Sequence, residues 1–145
     1  MEVYTAGFTQ KSAAEFFGTL RRAGIRRLVD VRLNNVSQLA GFTKRDDLAY
    51  FLREICQTEY RHELLLAPSP ELFDAYRKQH GKWEDYERGF FALLAERQVE
   101  QKLERALFAG PTVLLCSEPT ADCCHRRLVL EHLQGKWGDI RPVHL

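Results

Sequence analysis

No stretch of this 145-residue chain approaches the ~20 consecutive apolar residues that a membrane-spanning helix requires. Its first residues, Met1-Glu2-Val3-Tyr4-Thr5, also lack the basic and apolar regions of a secretory signal. A membrane partner is therefore not expected, and a cytoplasmic setting is. Charge of one sign is missing too. With 21 Lys and Arg against 20 Asp and Glu, the chain has no global field to draw in nucleic acid, so any anionic partner must be held by a local patch. Neither a P-loop nor a G-x-G-x-x-G run occurs, which sets aside those two phosphate-binding signatures. There is no C-x-x-C pair of the thioredoxin type. No repeat or low-complexity linker divides the sequence, so residues 1–145 are expected to form a single domain.

What is present is ordinary in bulk. A hydrophobic fraction of 45% with 28% charged residues suffices for a real core. The four cysteines, Cys56, Cys116, Cys123 and Cys124, meet a reducing compartment in this reading. There they serve as core residues, reactive thiols or metal ligands rather than structural disulfides.

Hydrophobic periodicity predicts alternating strands and helices. Val3 to Thr5 reads as a first strand ending at Gly7. Ser12 with Glu15 forms a capping box for a helix that Gly24 closes. Ile25 to Val31 reads as a buried strand, Lys44 to Cys56 as a helix, and Thr58 to His62 as a weaker strand. A short helix starts at Ser69 or Pro70, and one long helix is expected over 83–108. Thr112 to Cys116 is the most apolar strand; a last helix starts near Asp122, and Ile140 to Leu145 closes the chain. The alternation predicts a three-layer α/β domain with a mostly parallel sheet of about five strands and helices on both faces.

In such a sheet the strand-to-helix loops gather at the C-terminal edge, where ligands bind. The first strand brings Gly7 and Thr9 there, and the second brings Asp30 and Arg32. The fourth brings Cys116 and Glu118, followed by Cys124-His125-Arg126 at a helix start. A thiol in the first turn of a helix beside a cation can have its pKa lowered from about 8.5 to between roughly 3.5 and 7.5. Cys116 or Cys124 is thus the candidate nucleophile, with Glu118 or Asp30 handling protons and His125 beside them. Arg32 and Arg126 are the candidate anion holders. Plainer roles compete: Asp30 can cap amides, Arg32 can pair with Asp30 or Glu118, and the cysteines can simply pack. A metal reading through Cys116, Cys123 or Cys124, and His125 lacks the short ligand spacing of closed zinc sites. No metal or cofactor is expected. The partner is a small anionic ligand or nucleic acid, bound by a thiol enzyme or a non-enzymatic module.

In order, Tyr4-Thr5-Ala6-Gly7-Phe8-Thr9, Leu28-Val29-Asp30-Val31-Arg32, Gly41-Phe42, Leu114-Leu115-Cys116-Ser117-Glu118 and Cys124-His125-Arg126 give the chain its individuality. The set resembles the domain-of-unknown-function 488 family, whose pattern runs Thr-Ile-Gly-His-Ser, Val-Asp-Val-Arg, Cys-x-Glu and Cys-His-Arg. The likeness spans nearly the whole chain. It implies that Asp30, Arg32, Cys116, Glu118, Cys124, His125 and Arg126 form the site. Phe8 departs from the pattern, standing where the family has a histidine, so a mechanism needing an imidazole there is disfavoured. The Asp-Val-Arg strand is also similar to part of a rhodanese domain, but no Cys-x4-[Gly/Ala] loop follows Cys116.

Overall fold

Ser12 opens the first helix by the predicted reciprocal cap: its Oγ accepts from Glu15 N at 3.1 Å, and Glu15 Oε1 accepts from Ser12 N at 3.4 Å. That helix, α1 (Ala13–Arg22), buries Phe16, Phe17 and Leu20 as its 3.6-residue period requires. The computed structural model describes residues 1–36, 41–117 and 124–145. Its strands are β1 (Glu2–Gly7), β2 (Arg27–Asp30), β3 (Glu59–His62), β4 (Thr112–Cys116) and β5 (Arg141–His144). They form one sheet in the order β3-β2-β4-β1-β5, and every pairing is parallel. The expected three-layer α/β architecture is the observed one.

Side-chain alternation sorts the core into two layers. Val3, Val29, Leu114 and Cys116 face one side, packed with α4 (Trp83–Arg97) and α6 (His125–Trp137). Ala6, Leu28, Val113 and Leu115 face the other, against α1 and α2 (Arg45–Phe51). Right-handed crossovers explain the division. The chain steps from β1 to β2 to β3 towards one edge, then reverses through β4 to β5, so the later connections must cross the opposite face. β4 therefore exits to one face between two neighbours, β2 and β1, that exit to the other. A ligand crevice opens where exits diverge in this way.

Three elements differ from expectation. The helix after residue 44 ends in a π-turn over Leu52–Cys56, stopped by Gln57 in left-handed conformation (φ 51°). The long helix expected over 83–108 breaks at Gln98 (φ 53°) into α4, the short α5 (Val99–Lys102) and a 3₁₀ turn at Arg105–Phe108. An unbroken helix would run about 39 Å at ~1.5 Å per residue. A five-residue strand spans about 17 Å, so the chain must turn back early to enter β4. Its stripe nevertheless survives the break, because Val99, Leu103 and Leu107 remain buried. Lastly, α6 begins at His125 rather than near Asp122, and Cys124 is its extended cap residue (φ −138°). Asp122, Cys123 and Glu118 lie outside the described residues. Among the described residues, no helix is long and apolar enough to cross a membrane.

Between β3 and α4 lies α3 (Pro70–Arg77), capped by Ser69 Oγ accepting from Leu72 N at 3.2 Å. It buries none of its residues fully. Two close approaches seat it. Leu72 presses on α4 where Gly89 has no side chain, since a Cβ there would lie 2.7 Å from Leu72 Cδ1. The connecting turn packs on the backbone at Gly81, where a Cβ would lie 2.7 Å from the Ala75 carbonyl.

Candidate functional site

Cys116 is the last residue of a strand buried along its whole length, and it stands in register with Gly7 of β1. On the other side the Val31 N–H donates to the Leu115 carbonyl at 3.1 Å, carrying β2's exit alongside. The first residue of α6 turns its ring into this corner. His125 Nε2 lies 2.7 Å from the Val31 carbonyl. A carbonyl can only accept, so Nε2 carries the proton and Nδ1 is left facing Cys116 Sγ at 3.5 Å. Phe90 holds the same ring edge-to-face, with centroids 5.3 Å apart at 82°. Backbone, sulfur and aromatic contacts thus fix one orientation of the imidazole.

The charges follow from this packing. Burial would push the Cys116 thiol up. It is outweighed by a hydrogen bond from Cys124, by the charge and hydrogen bond of His125, and by the Arg126 guanidinium, and the net result lies well below the usual 9.0. Burial would likewise push His125 down, but the Cys116 charge and hydrogen bond, with the Val31 carbonyl, raise it above 6.5. Cys124 goes the other way: burial, then its hydrogen bond to Cys116 and that residue's charge, push its thiol up. These directions favour a thiolate at Cys116 and an imidazolium at His125, with Cys124 as a neutral donor thiol. The sequence reading leaves Cys116 or Cys124 as the nucleophile and puts the thiol of the first helical turn at Cys123 or Cys124. The cap residue's extended backbone and burial make Cys124 the donor, and the strand end becomes the anion.

Asp30 and Arg32 meet each other on the opposite face of the sheet. Asp30 is fully buried and accepts from Arg32 N at 3.1 Å, Arg32 Nε at 2.9 Å and Arg32 Nη2 at 2.8 Å. Its Oδ2 also accepts from the Tyr60 hydroxyl at 2.6 Å. Arg32 Nη2 further donates to the Thr43 carbonyl at 2.7 Å, and the guanidinium lies 5.1 Å from the Phe8 ring. This is a closed hydrogen-bonded frame, and its outer side forms part of a cleft wall. The Phe8 ring is that guanidinium's floor. Arg126 is almost fully buried, with Nε donating to Thr5 Oγ1 at 3.3 Å and Nη1 3.9 Å from Cys124 Sγ.

A cleft of about 500 Å³ opens over this corner, within the ~300–1,000 Å³ usual for small-molecule sites. Cys116, Ser117, Cys124 and His125 form its floor, and Thr9 and Arg32 one side. Of the expected site residues, Cys116, Cys124, His125 and Arg126 come together in the corner, while Thr9 and Arg32 reach the cleft. Gly7 is buried beside Cys116 and is absent from the lining; Arg126 is absent from it too. The opposite side went unforeseen. It is built from Phe73, Tyr76 and Arg77 of α3 with Trp83 and Tyr86 of α4. The available signal was the spacing of Phe73, Tyr76 and Arg77 on one face of a helix that buries no residue fully.

The three donors Cys116, Cys124 and His125 also lie within 4.8 Å of one another, compact enough to hold a metal ion among the described residues. Comparison with curated proteins finds no match, and neither does comparison with solved structures. The family model for the Domain of unknown function DUF488 matches residues 12–133. That span runs from the cap of α1 to the buried part of α6 and takes in Asp30, Arg32, Cys116, Cys124, His125 and Arg126. The chain belongs to the DUF488 family.

Proposed function

We propose that this chain is a thiol-dependent enzyme in which Cys116 attacks an electrophilic centre of an anionic substrate held in the cleft. One observation carries the reading: the 3.5 Å approach of Cys116 Sγ to His125 Nδ1, with the far ring nitrogen tied to the Val31 carbonyl. That arrangement orients the imidazole and keeps a proton on Nδ1 beside the thiolate, the pairing that activates a cysteine nucleophile. In the first step an S–substrate bond forms and the leaving group departs with the Nδ1 proton. In the second, water or another acceptor loses a proton to Nδ1 and breaks the S–substrate bond, restoring both groups. Cys124 donates to the resting thiolate and stays protonated throughout. The ionic groups of the described lining are Arg32, Arg77 and the Cys116–His125 pair, with no carboxylate among them, which supports an anionic substrate. Asp30, already accepting four hydrogen bonds, positions Arg32 in this reading rather than moving protons.

Iodoacetamide labelling across pH, followed residue by residue by mass spectrometry, tests it. Cys116 should label fastest and keep its rate well below pH ~8.5, the free-thiol value. Cys56, whose thiol is pushed up mainly by burial, should lag. Cys116 titrating at or above that value, and no faster than Cys56, would end the nucleophile reading.

The compactness of the three donors favours one rival, a Cys₂His metal centre with its fourth position towards the cleft. Stoichiometric zinc in the purified protein, with Cys116 unreactive until a chelator removes it, would replace the thiolate with the metal. Metal-free protein that labels at Cys116 would remove the rival.

A further inference from the structure

The second thiol on the cleft floor has little to do in the reaction proposed above. Cys124 lines the cleft beside Cys116 and gives it one hydrogen bond. A hydroxyl would serve that purpose better, because a thiol is a weak donor. What a sulfur adds is the capacity to bond covalently to another sulfur. Cys116 Sγ, Cys124 Sγ and a ring nitrogen of His125 all lie within 4.8 Å of one another, so side-chain rotation has little distance to close before the ~2.05 Å of a disulfide. Both cysteines line the cleft, yet they are only 3% and 1% exposed. A reactant of a few atoms is the kind that fits against them.

We propose that Cys116 and Cys124 form a dithiol couple that reduces hydroperoxides and is restored by an external thiol. This activity goes beyond the substitution proposed above and gives the second sulfur its use. First, Cys116 Sγ attacks the terminal oxygen of the hydroperoxide. The O–O bond breaks as an S–O bond forms, and two electrons pass from sulfur to the peroxide. The departing oxyanion takes the His125 Nδ1 proton and leaves as an alcohol or water, with Cys116 now a sulfenic acid. Next, Cys124 gives its proton to His125 Nδ1 and its sulfur attacks Cys116 Sγ. The S–S bond forms, the S–O bond breaks, and the departing hydroxide takes that proton to leave as water. Two molecules of external thiol then exchange with the disulfide, regenerating both cysteines and leaving as a disulfide of their own. The order of events is built into the corner. Burial pushes the Cys124 thiol up, and so do its hydrogen bond to Cys116 and the charge there. That charge vanishes once Cys116 is a neutral sulfenic acid, while Arg126 Nη1, 3.9 Å from Cys124 Sγ, favours the second anion. With no thiol at this distance, a sulfenic acid would pass on to sulfinic acid, which external thiols do not reverse.

A full-length chain carrying Cys56→Ser and Cys123→Ser keeps only this pair of the four cysteines, and circular dichroism checks its fold. With a chelator present to exclude metal-catalysed oxidation, an equivalent of hydrogen peroxide should lower the intact mass of the reduced chain by two hydrogens. Dithiothreitol should restore it. At pH 7 the thiols should be lost at least about tenfold faster than those of free cysteine, which is only a few per cent thiolate there. Adding Cys124→Ser should abolish the disulfide, let dimedone trap a sulfenic acid at Cys116, and give sulfinic acid under excess peroxide. Adding Cys116→Ser should leave Cys124 reduced. No disulfide, a disulfide joining two chains, or oxidation no faster than that of free cysteine would overturn the inference. So would a Cys116→Ser chain in which Cys124 oxidises at the parent rate. Fast iodoacetamide labelling of Cys116 without a disulfide sinks this inference and leaves the nucleophile reading standing.

Discussion

Asp30→Ala tests whether the pair beneath the cleft is a frame or a working acid. The substitution removes the acceptor of three Arg32 hydrogen bonds and one from Tyr60. It leaves Arg32, only 6% exposed, with no carboxylate and with the Thr43 carbonyl and the Phe8 ring as remaining contacts. Stranding one member of a buried ion pair typically costs about 3–5 kcal/mol. At roughly 3 °C per kcal/mol for a chain of this size, the Tm should fall by about 10–15 °C. The desolvation penalty identifies the source of the loss. Adding Arg32→Met removes the stranded charge, so the double variant should be more stable than Asp30→Ala alone. Urea and thermal unfolding followed by circular dichroism give all the values needed. A loss below about 1 kcal/mol for Asp30→Ala would refute the frame. So would a double variant whose loss equals the sum of the two single losses.

Two further outcomes follow from features of the same site. The Cys116–His125 pair should give stability a plateau in pH. His125, raised, contributes fully below 6.5 and loses its contribution as pH climbs through its folded pKa. Cys116, lowered, contributes fully above 9.0 and loses its contribution as pH falls through its folded pKa. Wherever between those limits the folded pair holds thiolate and imidazolium together, folded and unfolded chains each carry one proton on it, so the slopes cancel. Outside them stability should fall by up to about 1.4 kcal/mol per pH unit on either side. Differential urea unfolding of the parent and Cys116→Ser isolates the pair, and a difference that slopes steadily between pH 7 and 8.5 would contradict it. Gly81→Ala should destabilise by about 1–3 kcal/mol, because the new methyl meets the Ala75 carbonyl and α3 must shift. Trp83 emission should move to longer wavelength as its wall opens. An unchanged Tm with unchanged emission would show that the turn yields freely.

How much of this was legible in the sequence varies with the range of the interaction. Local chemistry was plain: Ser12 and Glu15 announce their cap, and the apolar run 112–116 announces the central strand. The placing of Cys116 and His125 at one sheet edge followed from strand alternation, and the family resemblance pointed to the same residues. The sheet's sidedness was harder to read. Asp30 and Arg32 sit two residues apart on one strand exit and so point to the same face, where they bond each other; only the register with β4 shows that Cys116 points to the other. Which of the two thiols carries the charge was also hidden. It depends on whether Cys124 is helical or a cap, a boundary of one residue, and boundaries are what periodicity locates least well. The aromatic wall escaped notice because Tyr86 and Phe90 read as an ordinary core stripe, and only the packing of α3 on Gly89 turns that stripe into one side of a cavity.

The outermost strands carry one more consequence. On β5, Arg141 N donates to the Met1 carbonyl and Leu145 N to the Thr5 carbonyl. Of the residues between them, Pro142 and His144 face outward by alternation, and Pro142 has no amide to offer. At the far rim β3 presents the exposed charges of Glu59 and Arg61 on a strand of four residues. Neither border is a good template for a strand from a second molecule, so crowding during synthesis or storage should not seed fibrils by adding strands to these rims.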